Sequence, residues 1–278
     1  MLDDFSESSP RNLIGVSSEE YEFVRGDVRD EAVVKRAMGG IDSVIHLAAI
    51  TGAATSHERS DAVHDVNVEG TRTVVDAAAD AGIDRFVLAS SCNVYGDAYD
   101  RDITEFDELA PPNPYAESKV GAEEYCRASP VDTVAVRLAT NFGWSPGVRF
   151  NLVVNTFVFR ALSGEPLTVY GDGTNWRPFV HVADAARGYA DALDWDTGAY
   201  NVGLGNFRIE EIARAVESTV GKPVDITYLE DEDPGPSYHV NFRKAAAQGF
   251  EAEHSLESGI EDLAARFTSK RTTLLTRR

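Results

Sequence analysis

PYAESKVGAEEYCRASPVDTVAVRLAT, residues 114–140, carries two different periods in one run. From Tyr115 to Ser129 apolar side chains recur three and four apart and a serine closes the segment, which reads as a helix. From Asp132 to Thr140 the residues are almost continuously apolar and rich in valine, which reads as a strand buried on both faces of a parallel sheet. The same alternation extends towards the N-terminus. YEFVRGD (21–27), DSVIHLAA (42–49) and DRFVLASS (84–91) read as strands, and RDEAVVKRAMGG (29–40) and DVNVEGTRTVVDAAADAG (65–82) as helices between them. Strand and helix in turn predict an α/β fold with a doubly wound parallel sheet and helices on both faces. From about residue 143 the rhythm changes to glycine- and proline-punctuated segments such as GWSPG (143–147) and YGDGTNWRP (170–178). The expected division is an α/β domain over 1–142 and a smaller lobe over 143–278, interleaved and packed together.

Composition narrows the possible partners. The 278 residues contain 46 Asp plus Glu against 26 Lys plus Arg, a net charge of -20. Such a surface repels nucleic-acid phosphates and acidic lipids, so neither is expected as a partner. The acids are scattered and lysines number five, a balance that resembles cytoplasmic proteins of salt-loving microbes; a well-solvated surface is the plainer reading. No apolar run approaches the roughly 20 residues of a membrane helix, and MLDDFSES lacks the features of a signal peptide, so a soluble cytoplasmic chain is expected. Cys92 and Cys126 are too few for a disulfide framework, and the six histidines show no close metal spacing, so no metal site is expected.

Ligands of open α/β sheets bind at the carboxyl ends of the strands. Asp27 stands there after FVRG, His46 with Ala48 and Ala49 closes SVIHLAA, and Ser90 with Ser91 closes RFVLAS. Taken singly, each also reads as a turn acid, a satisfied histidine or a cap. Their common placement is the signal. Tyr115 and Lys119, four apart on a helix, share one face. A nearby ammonium stabilises a phenolate, which makes such a pair a tunable proton acceptor. Ten tyrosines and five lysines in 278 positions give roughly 0.2 chance pairs at this spacing, so the spacing alone is a weak signal.

The wider pattern resembles the extended short-chain dehydrogenase/reductase family, in its nucleotide-sugar epimerase and dehydratase branch. The resemblance runs over nearly the whole chain: GDVRD (26–30), HLAA (46–49), NVEGT (67–71), SSCNVYGD (90–97), PYAESK (114–119), RLATNFG (137–143), GEPLTVYGDG (164–173) and RPFVHVADAARG (177–188), in family order and spacing. It implies NAD as cofactor and a nucleotide sugar as substrate. By the same resemblance Tyr115 is the general acid/base, Lys119 holds the nicotinamide ribose and lowers the tyrosine's pKa, and Ser91 hydrogen-bonds the reacting oxygen. Asp3 would grip the adenosine ribose and favour NAD over NADP. Asp27 and Val28 would meet the adenine, and Ala48 and Ala49 line the dinucleotide. Asn67 matches a mainly structural asparagine, while Asn141, Asn151 and Arg177 match positions that hold the substrate diphosphate. Family members pair through the helix bearing Tyr115 and Lys119, so a homodimer is implied.

Three departures qualify the resemblance. The family's G-x-x-G-x-x-G is missing, since no two glycines lie three apart, and MLDDFSES resembles the end of the family's second strand. The expectation is a chain that starts one βα unit late, through a misplaced start codon or as a fragment, with two interior sheet edges left unpaired in the 3-2-1-4-5-6 order. Cys92 and Asn93 stand where dehydrating relatives place an Asp-Glu pair, which favours epimerisation or ketone reduction. DEDPGPSYHV (231–240) lacks the arginine that many relatives carry there. The function expected is 4-epimerisation of a UDP-hexose through a 4-keto intermediate. A 4-ketoreductase or dehydratase is the alternative, and a catalytically inert fragment or ligand-binding protein the alternative of another class.

Overall fold

In the computed structural model residues 1–275 are described, with side chains except at 54, 99–101 and 269–275. In chain order the elements begin β1 (Leu2–Asp3), β2 (Val24–Arg25), α1 (Glu31–Ala37), β3 (Ser43–His46), α2 (Ser60–His64), α3 (Gly70–Asp80), β4 (Arg85–Ser91), β5 (Ala98–Ile103), α4 (Pro114–Ala128) and β6 (Asp132–Leu138). They continue β7 (Thr140–Phe142), α5 (Val153–Ser163), β8 (Leu167–Tyr170), β9 (Trp176–His181), α6 (Val182–Asp191), β10 (Gly198–Val202) and β11 (Gly205–Arg208). The last are α7 (Ile209–Val220), β12 (Ile226–Leu229), β13 (Tyr238–Val240), α8 (Arg243–Ala247) and α9 (Leu256–Leu275). Two compact units divide the chain. One comprises Met1–Gly96, Glu105–Arg137 and Gly188–Tyr200; the other comprises Asp97–Thr104, Leu138–Arg187 and Asn201–Arg278.

The first unit is the α/β part. Asp30 caps α1 by accepting from the amides of Ala32 and Val33, and Lys35 and Arg36 fill the last turn, as the helix dipole favours. Val34 of α1, Val74, Val75 and Ala78 of α3, Phe86 and Leu88 of β4 and Ala122 and Cys126 of α4 form one buried cluster. Every second residue of β4 and β6 faces it, because strand side chains alternate. Phe86, Leu88 and Ser90 therefore share a side, as do Thr133, Ala135 and Arg137.

The strands form parallel pairs, but in two separate sheets. β1 pairs with β2, Leu2 opposite Val24, and β3 pairs with β4, Ser43 opposite Arg85. The larger sheet has the order β10-β6-β4-β3 and the smaller β1-β2. The break falls where the expected order has a central strand, and β3 is left as an edge with Ile45 39% and Leu47 54% exposed. A pair of strands with a neighbour on neither side holds few ladder bonds, and β1 and β2 are two residues each.

In the second unit α5, α7 and α9 bury Phe157, Val158, Ile212, Val216, Ile260 and Leu263 against Leu167, Val169 and Phe179 of the short strands. Its sheets are β11-β9-β7, β12-β8 and β13-β5. Among the described residues no helix is long and apolar enough to cross a membrane.

Candidate active site

The site of the first unit is built on α4. Asn113 is extended and accepts from the Ala116 amide at 3.0 Å, and Pro114 follows as the first helical residue, so the start of the helix is fixed by its own sequence. The turn that follows brings Lys119 Nζ to 5.7 Å from the centre of the Tyr115 ring. Lys119 is 5% exposed. Among the described residues its ammonium has no hydrogen bond or ion pair, although it carries three donors. Burial lowers its pKa to about 8, and the Glu123 carboxylate one turn further along opposes that fall.

Asn67 ties the strand end to this helix. Its amide group donates to the Ile50 carbonyl at 3.0 Å and to Ser118 Oγ at 2.9 Å, while its oxygen accepts from the Ile50 amide at 2.8 Å. Ser118 donates in turn to the Tyr115 carbonyl at 2.7 Å. Ile50 is thereby tied through Asn67 to Ser118 of α4, and Ala48 and Ala49 just before it are half-buried. Asn67 itself lies in a π-helical turn, Asp65–Glu69, that leads into α3. Gly70 opens α3 because a side chain there would meet Val28 Cγ2 at 2.8 Å.

His46, at the end of β3, is buried, with Nε2 at 3.0 Å from Thr71 Oγ1. Thr71 gives its one hydroxyl proton to the Asn67 carbonyl at 2.6 Å, so it accepts from His46 Nε2–H, and Nδ1 is left as an acceptor. Burial, and then the charge of Lys119, lower the His46 pKa to about 3, so the ring is neutral at ordinary pH. The two serines that close β4 face opposite ways. Ser91 is half-buried and caps the turn Cys92–Tyr95, accepting from the Asn93 amide at 3.2 Å and keeping its own proton to donate. Ser90 is buried and donates to Glu123 Oε1. Cys92 is 1% exposed and donates to the Arg137 carbonyl at 3.1 Å; burial raises its pKa, so it is a packed thiol.

The remaining residues of the first unit are held by local bonds. Asp3 accepts from the Phe5 amide at 2.7 Å and from Ser8 Oγ at 2.8 Å. Asp27 is paired with Arg29 at 2.6 Å, and hydrogen bonds from Arg29 lower its pKa. Val28 packs into the core, which leaves its backbone as the part able to meet a ligand.

Asn141, Asn151 and Arg177 belong to the second unit. Asn141 is in β7 opposite Val180 of β9, and its Oδ1 is buried without a hydrogen-bond partner. Asn151 accepts from Arg149 Nε at 3.3 Å. Arg177 donates to the carbonyls of Trp176 and Pro234, both at 3.2 Å, with its guanidinium over the Tyr238 ring.

Sequence spacing does not reveal a second polar cluster in this unit. Asp184 accepts from the amides of Glu253 and His254, from His254 Nδ1 and from Arg187. His181, Asp184 and His254 lie close enough to suggest a metal site. The two rings, however, are stacked at 4.1 Å and 23°, so one ion cannot lie in both ring planes as imidazole ligation requires. Asp184 and Arg187 instead fasten the 251–254 segment by hydrogen bonds, and His181 contributes a stacked ring. Also unforeseen were Glu123 and Arg137, although the position of Glu123 four residues after Lys119 was a usable signal.

The chain matches known proteins at the level of family, sequence and fold. The model of the NAD dependent epimerase/dehydratase family matches residues 2–203. The low-salt glycan biosynthesis protein Agl12 of Haloferax volcanii is 35% identical over 260 residues, which are 90% of this chain and 83% of that protein. The structure of DesIV, a dTDP-glucose 4,6-dehydratase from Streptomyces venezuelae with NAD and TYD bound, is similar with a TM-score of 0.87 and 29% identity, covering 98% of this chain and 88% of that one. A UDP-glucose 4-epimerase of Thermus thermophilus in complex with NAD is similar with a TM-score of 0.82 and 27% identity, covering 96% and 90%.

Proposed function

The chain belongs to the NAD-dependent epimerase/dehydratase family, and from that premise we propose that it inverts C4 of a UDP-hexose through a transient 4-keto sugar. The observation that carries this reading is the largely buried Lys119 side chain one helical turn from Tyr115, whose ammonium has no hydrogen bond among the described residues. With no protein acceptor among the described residues, the three donors of this ammonium are available to a ligand, and ribose hydroxyls supply matching acceptors. The nicotinamide half of NAD therefore fits Tyr115, Lys119, Ala48 and Ala49, and the adenosine half fits Asp3, Asp27 and the Val28 backbone. A glycine-rich loop for the pyrophosphate is not among these residues.

NAD, when bound, would supply a reversible hydride acceptor for C4. The protein's own part is proton transfer and positioning. Tyr115 as phenolate takes the C4 hydroxyl proton and later returns it, Lys119 keeps the phenolate favourable, and Ser91 donates its free proton to the oxygen as the carbonyl forms. Asn141, Asn151 and Arg177 are assigned to the substrate diphosphate, for which a guanidinium fork is suited. A second reading, 4,6-dehydration, is supported by the likeness to DesIV. Elimination of water needs an acid beyond Tyr115, and the residues after Ser91 are a buried thiol and an amide, which favours epimerisation.

The test is incubation of the protein with UDP-glucose and NAD, with products resolved by NMR and mass. UDP-galactose supports the proposal; a product lighter by one water establishes dehydration instead. Tyr115→Phe is expected to lower turnover by about 10²–10⁴-fold with an unchanged circular dichroism spectrum, and full activity in that variant removes Tyr115 from the mechanism.

A further inference from the structure

The inward face of α4 continues past the Tyr115–Lys119 pair to Glu123, and at that point the helix meets both neighbouring strands. Arg137 of β6 binds the Glu123 carboxylate with two prongs, Nε to Oε1 at 3.0 Å and Nη2 to Oε2 at 2.7 Å. Arg137 Nη1 donates to Tyr95 OH at 2.9 Å and to the Glu105 carbonyl at 3.3 Å. Ser90, next to Ser91, donates to Glu123 Oε1. Arg137 and Glu123 are 4% and 7% exposed. Both carboxylate oxygens are thus engaged, and the pair joins α4, β6, the end of β4 and the turn that Ser91 caps.

A buried ion pair is a doubtful source of stability, since desolvation of both charges offsets their attraction. It does fix register, because the two-pronged geometry admits one placement of helix against strand. We propose that Glu123 is a positioning residue for the Tyr115–Lys119 pair, holding α4 in register with the strand end that carries Ser91 and setting a carboxylate one helical turn beyond Lys119 on the same face. The inference rests on the reading of Tyr115 and Lys119 as the proton-transfer pair. Among the described residues, charged or titratable groups that face this pair include the neutral His46 from β3, Arg137 behind Glu123, and Tyr189 from α6, whose pKa the Tyr115 side chain raises further after burial. Of these, Glu123 is the one that favours the charged form of Lys119.

The experiment uses the low lysine content of the chain. With five lysines, ¹³Cε-lysine labelling gives few enough NMR signals for Lys119 to be assigned with Lys119→Arg and titrated directly, without any need for turnover. Glu123→Gln is expected to lower the Lys119 midpoint by about one pH unit, and Glu123→Asp to restore most of it. The high-pH limb of kcat/KM should move down with the midpoint, with the loss in kcat rather than in substrate KM. Because Glu123→Gln strands the Arg137 charge, the double variant Glu123→Gln with Arg137→Gln, neutral at both positions, is titrated beside it and should also show a lowered midpoint. A midpoint unchanged in the folded double variant overturns the proposal. A lowered midpoint in a protein that converts no nucleotide sugar supports the placement of Glu123 while sinking the epimerase reading.

Discussion

A largely buried lysine whose charge is desolvated is costly to the protein that holds it. Lys119 ionises at about 8 in the folded chain against 10.5 ordinarily. Between those values the unfolded chain binds more protons, so the stability of the ligand-free protein rises with pH across that window, and the cost is fully present below it. Lys119→Met is therefore expected to stabilise the ligand-free protein at about pH 7 by on the order of 2–3 kcal/mol, to flatten the alkaline rise and to abolish turnover. Urea denaturation at about pH 7 and about pH 10 checks this. Equal or lower stability of the variant at neutral pH refutes the account of Lys119 as a group held at a cost for its ligand. At this scale the sequence located the Tyr–Lys pair, because helical spacing alone puts both residues on one face. It could not show that Lys119 is buried, nor that Ser90 and Ser91 split between the Glu123 carboxylate and the open strand end.

At the scale of elements, the turn after β4 matters most, since it carries Ser91. Val94 in this turn accepts from the Ala110 amide at 3.0 Å, and Gly96 closes the turn at φ 67° and ψ −141°. A Cβ on Gly96 would stand 2.1 Å from the Ala110 carbonyl oxygen, a backbone atom that cannot rotate away. Gly96→Ala should therefore cost about 2–4 kcal/mol, combining the unfavourable backbone region with the forced separation of the two loops. Chemical denaturation reads the loss directly, and a cost under about 1 kcal/mol would mean that the loops part easily. The helices and long strands were legible as elements, since period and caps are local properties: Asp30 and Asn113 start α1 and α4, and β4 and β6 keep nearly the bounds their apolar runs suggest. YEFVRGD was less so, shrinking to Val24–Arg25 because a strand's length depends on its neighbours.

Over the whole molecule, a net charge of -20 works against compactness through self-repulsion. Raising ionic strength from about 0.01 M to about 1 M shortens the screening length from about 30 Å to about 3 Å. The midpoint of thermal unfolding is expected to climb with added KCl over that range, and a flat or falling midpoint would show that the scattered carboxylates do not oppose folding. The sheet of the first unit is also a property of this scale. It is divided into β1-β2 and β10-β6-β4-β3, with Ile45 and Leu47 exposed at the β3 edge. What the sequence by itself determined was the strand–helix alternation, the family and the Tyr115–Lys119 spacing, all of which rest on periods and motifs written along the chain. The tertiary structure decided that Lys119 is largely buried, that Glu123 meets Arg137 and Ser90, and that His181 stacks on His254. Those facts depend on segments distant in sequence being packed into one register, and packing is settled jointly by many residues, so no local pattern encodes it.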